Sequence, residues 1–227
     1  MLETIKNNKS KLLIASLLII IGVIGRLTIA ELLPNSPSLF INLNGISQPM
    51  FMMDVFFFVA LISILSGLFL KSYYVFLVPI SVMLITDMIL GNNFIFLFTW
   101  SGFALIGFIS YLLKMKTNLT IQKTPLILGT GIGSVLLYDL WTNFGCFLGW
   151  YPHSIEGLTL CFTVAVPFML WHLLSTTLAM TIVVLPIIYL KEHQLVHFDH
   201  VAFEKEKPIA ISLLVFLMVL SIAVIFI

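Results

Sequence analysis

Residues 94–113 read FIFLFTWSGFALIGFISYLL, an apolar run of 20 residues without a charged side chain, and Lys114 follows it. A helix rises about 1.5 Å per residue, so this run matches the roughly 30 Å hydrocarbon core of a bilayer. The whole chain has the same character, because its 227 residues are 60% hydrophobic and only 9% charged. Soluble domains carry about 25% charged residues. The composition therefore excludes a soluble enzyme, a nucleic-acid-binding protein and a disulfide-rich secreted domain.

Apolar runs of similar length recur along the chain. They predict seven membrane spans, at residues 12–30, 50–70, 73–90, 94–113, 125–144, 167–190 and 209–227. The sixth span is expected to begin at Pro167, because proline removes a backbone donor and clashes inside a helix. Residues 158–166 then form a short interfacial helix, and segments 31–49 and 145–157 are expected to be loops. The sequence predicts an all-α polytopic membrane protein.

The lysines indicate the orientation of these spans. If the N-terminus is cytoplasmic, the cytoplasmic segments are residues 1–11, 71–72, 114–124 and 191–208, and they contain all ten lysines. The remaining basic residue is Arg26, within the first span. Because lysine and arginine concentrate in cytoplasmic segments, the pattern predicts that the N-terminus is inside and the C-terminus outside.

Ionisable side chains within or beside the apolar runs are few, and all lie toward the predicted outer ends of the spans. They are Arg26, Glu31, Asp54, Asp87, Asp139, Glu156 and His172. Such groups are costly in hydrocarbon and indicate functional sites. Several predicted helices carry them to one depth, which predicts an outward-facing polar pocket. The alternative is that charges such as Arg26 and Asp87 pair only to neutralise the bundle interior.

Residues 138–153, YDLWTNFGCFLGWYPH, combine aromatic rings with amide, hydroxyl and carboxylate groups. Ligand pockets are mostly apolar and aromatic, with a few placed polar groups. The predicted substrate-binding residues are Arg26, Asp87, Asp139, Trp141, Asn143, Trp150 and His172. The charged groups would orient a small molecule, and the aromatic rings would cover its apolar part. No catalytic residue, metal ligand or cofactor is expected.

Two further patterns have a structural and a functional interpretation. Gly129 and Gly133 have the spacing that lets membrane helices pack closely, and this interpretation is favoured over a phosphate-binding loop, since no strand precedes them. His193, His197 and His200 lie in the last predicted cytoplasmic segment, where a solvated loop is favoured over a metal site.

Several short motifs resemble those of a family of small prokaryotic membrane proteins assigned to transport. They are Thr86-Asp87 with Leu90-Gly91, Thr142-Asn143-Phe144-Gly145, Trp150-Tyr151-Pro152, Ala165-Val166-Pro167-Phe168 and Gly25-Arg26-Leu27. The resemblance covers about residues 20–185, and that family is in turn similar to the six-helix substrate-binding (S) components of energy-coupling-factor importers. It implies a multi-pass protein of a prokaryotic plasma membrane, driven by a separate transmembrane coupling protein and ATPase subunits.

This resemblance divides the chain into a six-helix transport-like domain at residues 1–190, a charged cytoplasmic loop at 191–208 and an additional C-terminal transmembrane helix at 209–227. The favoured hypothesis is that the protein lies in the lipid bilayer and binds a small-molecule ligand, vitamin-like or metal-related, without nucleic acid. Two alternatives remain. One is a membrane-embedded enzyme that uses His172 or Cys146, and the other is a scaffold whose partner surface is the seventh helix.

Overall fold

Helices make up most of the chain in a computed structural model, which describes residues 2–34, 39–43, 45–70, 73–91, 93–193 and 207–225. The helices are α1 (Leu2–Leu32), α2 (Phe56–Phe69), α3 (Tyr74–Leu90), α4 (Phe96–Lys116), α5 (Thr124–Trp150), α6 (Ile155–Glu192) and α7 (Lys207–Ile225). Strands β1 (Leu39–Leu43) and β2 (Ile46–Phe51) form an antiparallel hairpin between α1 and α2.

Among the described residues, three helical segments are long and apolar enough to span a membrane, namely Lys11–Leu32, Phe96–Lys116 and Ile155–Glu192. Helices α2 and α3 are shorter apolar helices. In lipid, every backbone polar group has to find its partner within the protein, and a helix achieves this within one segment. The prediction of an all-α membrane protein is confirmed at this level.

Helices α2 and α4 form the centre of the bundle. Helix α2 is buried on nearly every side, from Val59 through Phe69, and α4 packs against α2, α3, α5 and α7. Their close approach depends on two glycines. A Cβ atom added to Gly67 would meet the backbone carbonyl of Gly107 and the side chain of Ser110. The small residues therefore allow the two backbones to touch.

The packing role predicted for Gly129 and Gly133 was wrong. A Cβ atom added at either position meets no atom of the described residues within 4 Å, whereas one added to Gly131 would collide with Met180. At 3.6 residues per turn, position 131 lies nearly opposite positions 129 and 133 on the helix. The contact face of α5 is therefore the face of Gly131.

Helix α6 is continuous through Pro167, so the predicted division into an interfacial helix and a separate span was wrong. Membrane helices tolerate an internal proline when neighbouring groups satisfy the backbone. The carbonyl of Pro167 accepts a hydrogen bond from Met52 N at 3.3 Å, which ties α6 to the segment before α2. A π-helical turn, Met180–Val184, interrupts the regular helix further on.

The two segments predicted as loops are also more ordered than expected. Much of the segment 31–49 is hairpin, and the predicted second span begins in strand β2 rather than in a helix. Helix α5 runs past Gly145 to Trp150, because Gly145 and Gly149 accommodate the rings of Phe98 and Phe94. Helix α6 ends two residues beyond the predicted boundary at 190; His197 and His200 lie outside the described residues.

The contact between α2 and α4 makes a test of the packing possible. Substitution of Gly67 by alanine places a methyl group against the Gly107 carbonyl, and we expect it to lower the free energy of unfolding by about 1–3 kcal/mol. The matched control is Gly129→Ala, which adds the same methyl group to helix α5 at a position where no atom of the described residues lies within 4 Å. This control should be neutral or stabilising by ~0.5–1 kcal/mol. Thermal unfolding of the detergent-purified variants measures both, and equal midpoints would contradict the packing described here.

Candidate functional site

The buried acidic residues, Arg26 and His172 gather at one end of the bundle, opposite the lysines. Helices α1, α3 and α5 approach this end with their C-terminal halves, which carry Arg26, Asp87 and Asp139, whereas α2 and α6 start from it. Asp54 lies just before α2, and His172 lies in the first half of α6. The alternation of helix direction therefore brings together residues that are far apart in the chain.

One network joins α1 to α3 and α4. Arg26 Nη1 lies 2.5 Å from Asp87 Oδ1 and also donates a hydrogen bond to Thr86 Oγ1. Trp100 Nε1 donates to the other carboxylate oxygen of Asp87 at 2.7 Å. The Asp87 side chain is 6% exposed and the Arg26 side chain 15% exposed. Each oxygen of this buried carboxylate thus has a donor, and the pair is neutral as a unit.

A second network joins α2, α5 and α6 through one imidazole. His172 Nδ1 lies 2.5 Å from Asp139 Oδ1, and His172 Nε2 lies 2.9 Å from Asp54 Oδ2. Asp139 is almost completely buried, at 1% exposure. Its other oxygen, Oδ2, has no hydrogen-bond partner among the described residues. Both nitrogens of the imidazole are therefore occupied, while one carboxylate oxygen is not.

The segment that enters α2 holds Asp54 and His172 in place. The other carboxylate oxygen of Asp54 accepts from Phe56 N at 3.0 Å, and its backbone carbonyl accepts from Trp171 Nε1 at 2.9 Å. The ring of Phe56 stacks on His172, with centroids 3.9 Å apart. Since Trp171 and His172 are neighbours on α6, one helix fixes both the backbone and the side chain of Asp54.

Two adjoining cavities lie between the networks. One, of about 550 Å³, is bordered by Arg26 and Asp87. The other, of about 450 Å³, is bordered by Asp139 and His172. The two cavities share four lining residues, namely Asp54, Asn93, Thr99 and Tyr138. These volumes fall in the range of small-molecule sites. We call the two together the bipartite pocket.

Most of the predicted binding residues border this pocket. Arg26 and Asp87 line the first cavity, and Asp139, Asn143, Trp150 and His172 line the second. Trp141 lines neither cavity. Its indole donates to Ser101 Oγ at 2.8 Å, on the side where Ser221 of α7 also contacts Ser101. Glu31 and Glu156, which belong to the same end by sequence, are exposed and line neither cavity.

Sequence reasoning left two central residues out of the predicted binding set. Asp54 borders both cavities, and Phe56 stacks on the buried histidine. The sequence places Asp54 among the ionisable residues near the outer end of the predicted span 50–70, but the predicted binding set does not include it. The usable signal was an aspartate immediately before the apolar run that starts at Val55, because a side-chain oxygen at such a position can accept from the first backbone groups of a helix.

Comparison with known proteins gives one result. A family model described as a family of unknown function (DUF6580) matches residues 6–198. No curated protein and no solved structure matches the chain. The matched range includes every side chain of the two networks, whereas α7 lies beyond it.

The Arg26–Asp87 pair predicts a pattern of stability among single and double variants. Arg26→Met leaves a buried carboxylate without its counter-ion, and we expect the free energy of unfolding to fall by about 3–5 kcal/mol. The double variant Arg26→Met/Asp87→Leu replaces the whole pair by apolar side chains and should recover most of this loss. Thermal unfolding in detergent measures both. A double variant no more stable than Arg26→Met would show that the pair does not act as a neutral unit.

Proposed function

This chain belongs to the DUF6580 family, a family of unknown function, and we propose that it is a multi-pass membrane transport protein that binds a small solute in the bipartite pocket. The observation that carries the proposal is the pair of adjoining cavities between two buried charged networks, with Asp54 common to both. Ionisable groups inside a membrane bundle usually mark a substrate or ion pathway. Aromatic and polar lining residues suit a small organic solute.

The proposed orientation turns the pocket to the outside of the cell. Lys114, at the far end of α4 from the pocket, donates to the carbonyl of Leu70 at 3.0 Å. Lys11 and Lys191 are close enough to repel its charge. A lysine-rich end of a membrane bundle belongs on the cytoplasmic side. Seven spans with the N-terminus inside and the C-terminus outside agree with this assignment.

Binding is favoured over catalysis by the state of the histidine. A general base needs an unoccupied nitrogen within reach of the proton it removes. Both nitrogens of His172 contact carboxylates. In the alternative that uses Cys146, His153 is a candidate base, but among the described residues no hydrogen bond joins the two, and His153 Nε2 contacts the carbonyl of Leu148 at 3.0 Å. The arrangement therefore suits a fixed, charged wall better than a proton-transfer centre.

The likeness to S components extends the proposal to partners. A solute-binding protein of that type works with a separate transmembrane coupling protein and cytoplasmic ATPase subunits. Uptake by the complete system would then require ATP, and the solute-binding chain alone would bind without net transport. An uptake assay in vesicles with and without ATP distinguishes this arrangement from a solitary transporter.

Native mass spectrometry of the gently extracted protein tests solute binding. Wild-type protein should release a bound small molecule on activation. Thr99→Trp should abolish it, because Thr99 lines both cavities and the indole would fill the space that they share. The matched control is Thr181→Trp, since Thr181 is exposed on α6 and makes the same kind of local hydrogen bond. Equal retention by the two variants, or no retained molecule in the wild type, would count against the proposal.

A further inference from the structure

The charges that line the bipartite pocket do not sum to zero. We infer that the pocket binds an organic monocation, such as a primary ammonium on an aromatic or apolar skeleton, and that Asp54 recognises its positive group. This inference rests on the proposed solute-binding function and specifies the class of solute. It follows from a count of protons in the second network, from the exposure of Asp54 and from the nature of the walls.

The two contacts of His172 require two protons in the network of Asp54, His172 and Asp139. Each ring nitrogen lies within hydrogen-bond distance of a carboxylate oxygen, and each such contact needs one proton. A neutral imidazole supplies only one proton, so the network holds one more, either on the ring or on a carboxylate. With two aspartates, one histidine and the two protons that these contacts require, the network carries one net negative charge in either arrangement.

No other described lining group cancels this charge. Arg26 is already matched by Asp87, with which it forms a neutral pair. The remaining titratable groups on the walls are tyrosine hydroxyls and cysteine thiols, which are neutral at ordinary pH. The described lysines that lie close together, Lys11, Lys114 and Lys191, belong to the opposite end of the bundle. An unneutralised charge in apolar surroundings is costly, and a cationic ligand would remove this cost.

The Asp54 carboxylate is placed to receive that cation, and the buried carboxylate of Asp139 lies behind it across His172. The Asp54 side chain is 38% exposed, although its contact partners Phe56 and His172 are buried, and it borders both cavities. Asp139 borders the second cavity, is 1% exposed and keeps Oδ2 without a partner among the described residues. A ligand ammonium can donate several hydrogen bonds at once, and hydrogen bonds between ionised groups are the strong ones.

The walls favour an organic cation over a bare metal ion. Phe56, Phe103 and Tyr138 line the first cavity, and Trp150 lines the second beside Tyr138. Aromatic faces attract organic cations, and the space is far larger than one ion requires. Among the described residues, no group of three or more histidine, cysteine, aspartate or glutamate side chains could hold a metal ion.

Three probes that share one skeleton test the inference on wild-type protein. They are 2-phenylethylammonium, phenylacetate and 2-phenylethanol, which differ in the charge of the group beyond the ring. Thermal unfolding of the purified protein is followed at increasing probe concentration. A ligand that binds the folded state raises the unfolding midpoint. We expect a concentration-dependent rise with the ammonium alone, and sodium chloride at equal concentration controls for ionic strength.

Carboxylate variants then show which residue binds the ammonium group. Asp54→Asn removes the unneutralised charge and should weaken the binding of 2-phenylethylammonium about tenfold or more. Glu31→Gln and Glu156→Gln remove the same charge from exposed positions outside both cavities and should leave the affinity unchanged. If Asp54→Asn fails to fold, Asp139→Asn serves in its place, and the probe series on the wild type remains decisive.

The possible failures are distinguishable. Stabilisation by phenylacetate or by phenylethanol, equal to or greater than that by the ammonium, would overturn the cation inference while supporting a solute-binding pocket. A midpoint that no probe changes would overturn the inference, and a simultaneous failure of the wild type to retain any small molecule would overturn solute binding as well. Equal weakening by Asp54→Asn and Glu31→Gln would show a general surface-charge effect and would also overturn it.

Discussion

The hydrogen bonds of His172 to two carboxylates are the constraint on which the pocket depends. A buried carboxylate without any partner is costly, so a group that bonds at least one of its oxygens helps to hold Asp139 at 1% exposure. His172 does so at 2.5 Å and reaches Asp54 with its other nitrogen. One side chain therefore joins α5, α6 and the entry to α2. If any of these elements shifted along its axis, a charged group would lose its partner.

The segment that precedes α2 is held by hydrogen bonds to α2 and α6. Asp54 lies in an irregular segment, where backbone groups need partners outside regular structure. Its side chain accepts from Phe56 N, its carbonyl accepts from Trp171, and Met52 N donates to Pro167. All three contacts tie this short segment either to α2 or to α6. These hydrogen bonds position the pocket wall at Asp54, although this residue is not part of a helix.

The sequence predicted the helical class and the end at which polar groups gather, because apolar length and charge placement are local properties. It failed where the outcome depends on distant neighbours. Pro167 and Gly145 each have a strong local tendency to end a helix, yet α6 continues through Pro167, whose carbonyl accepts from Met52 N, and Phe98 packs against Gly145. Trp141 is two residues from Asp139, and only the rotation of α5 in the bundle decides that it faces Ser101 instead of the pocket.

The two networks differ in a way that separates structural from functional charge. Arg26 and Asp87 neutralise each other, and Trp100 occupies the remaining oxygen, so this network is complete without a ligand. The Asp54–His172–Asp139 network keeps a negative charge and an oxygen without a described partner. A bundle selected for stability alone would replace such a group by apolar side chains, which are often the more stable choice. Its position on the wall that two cavities share is the reason to assign it to a ligand.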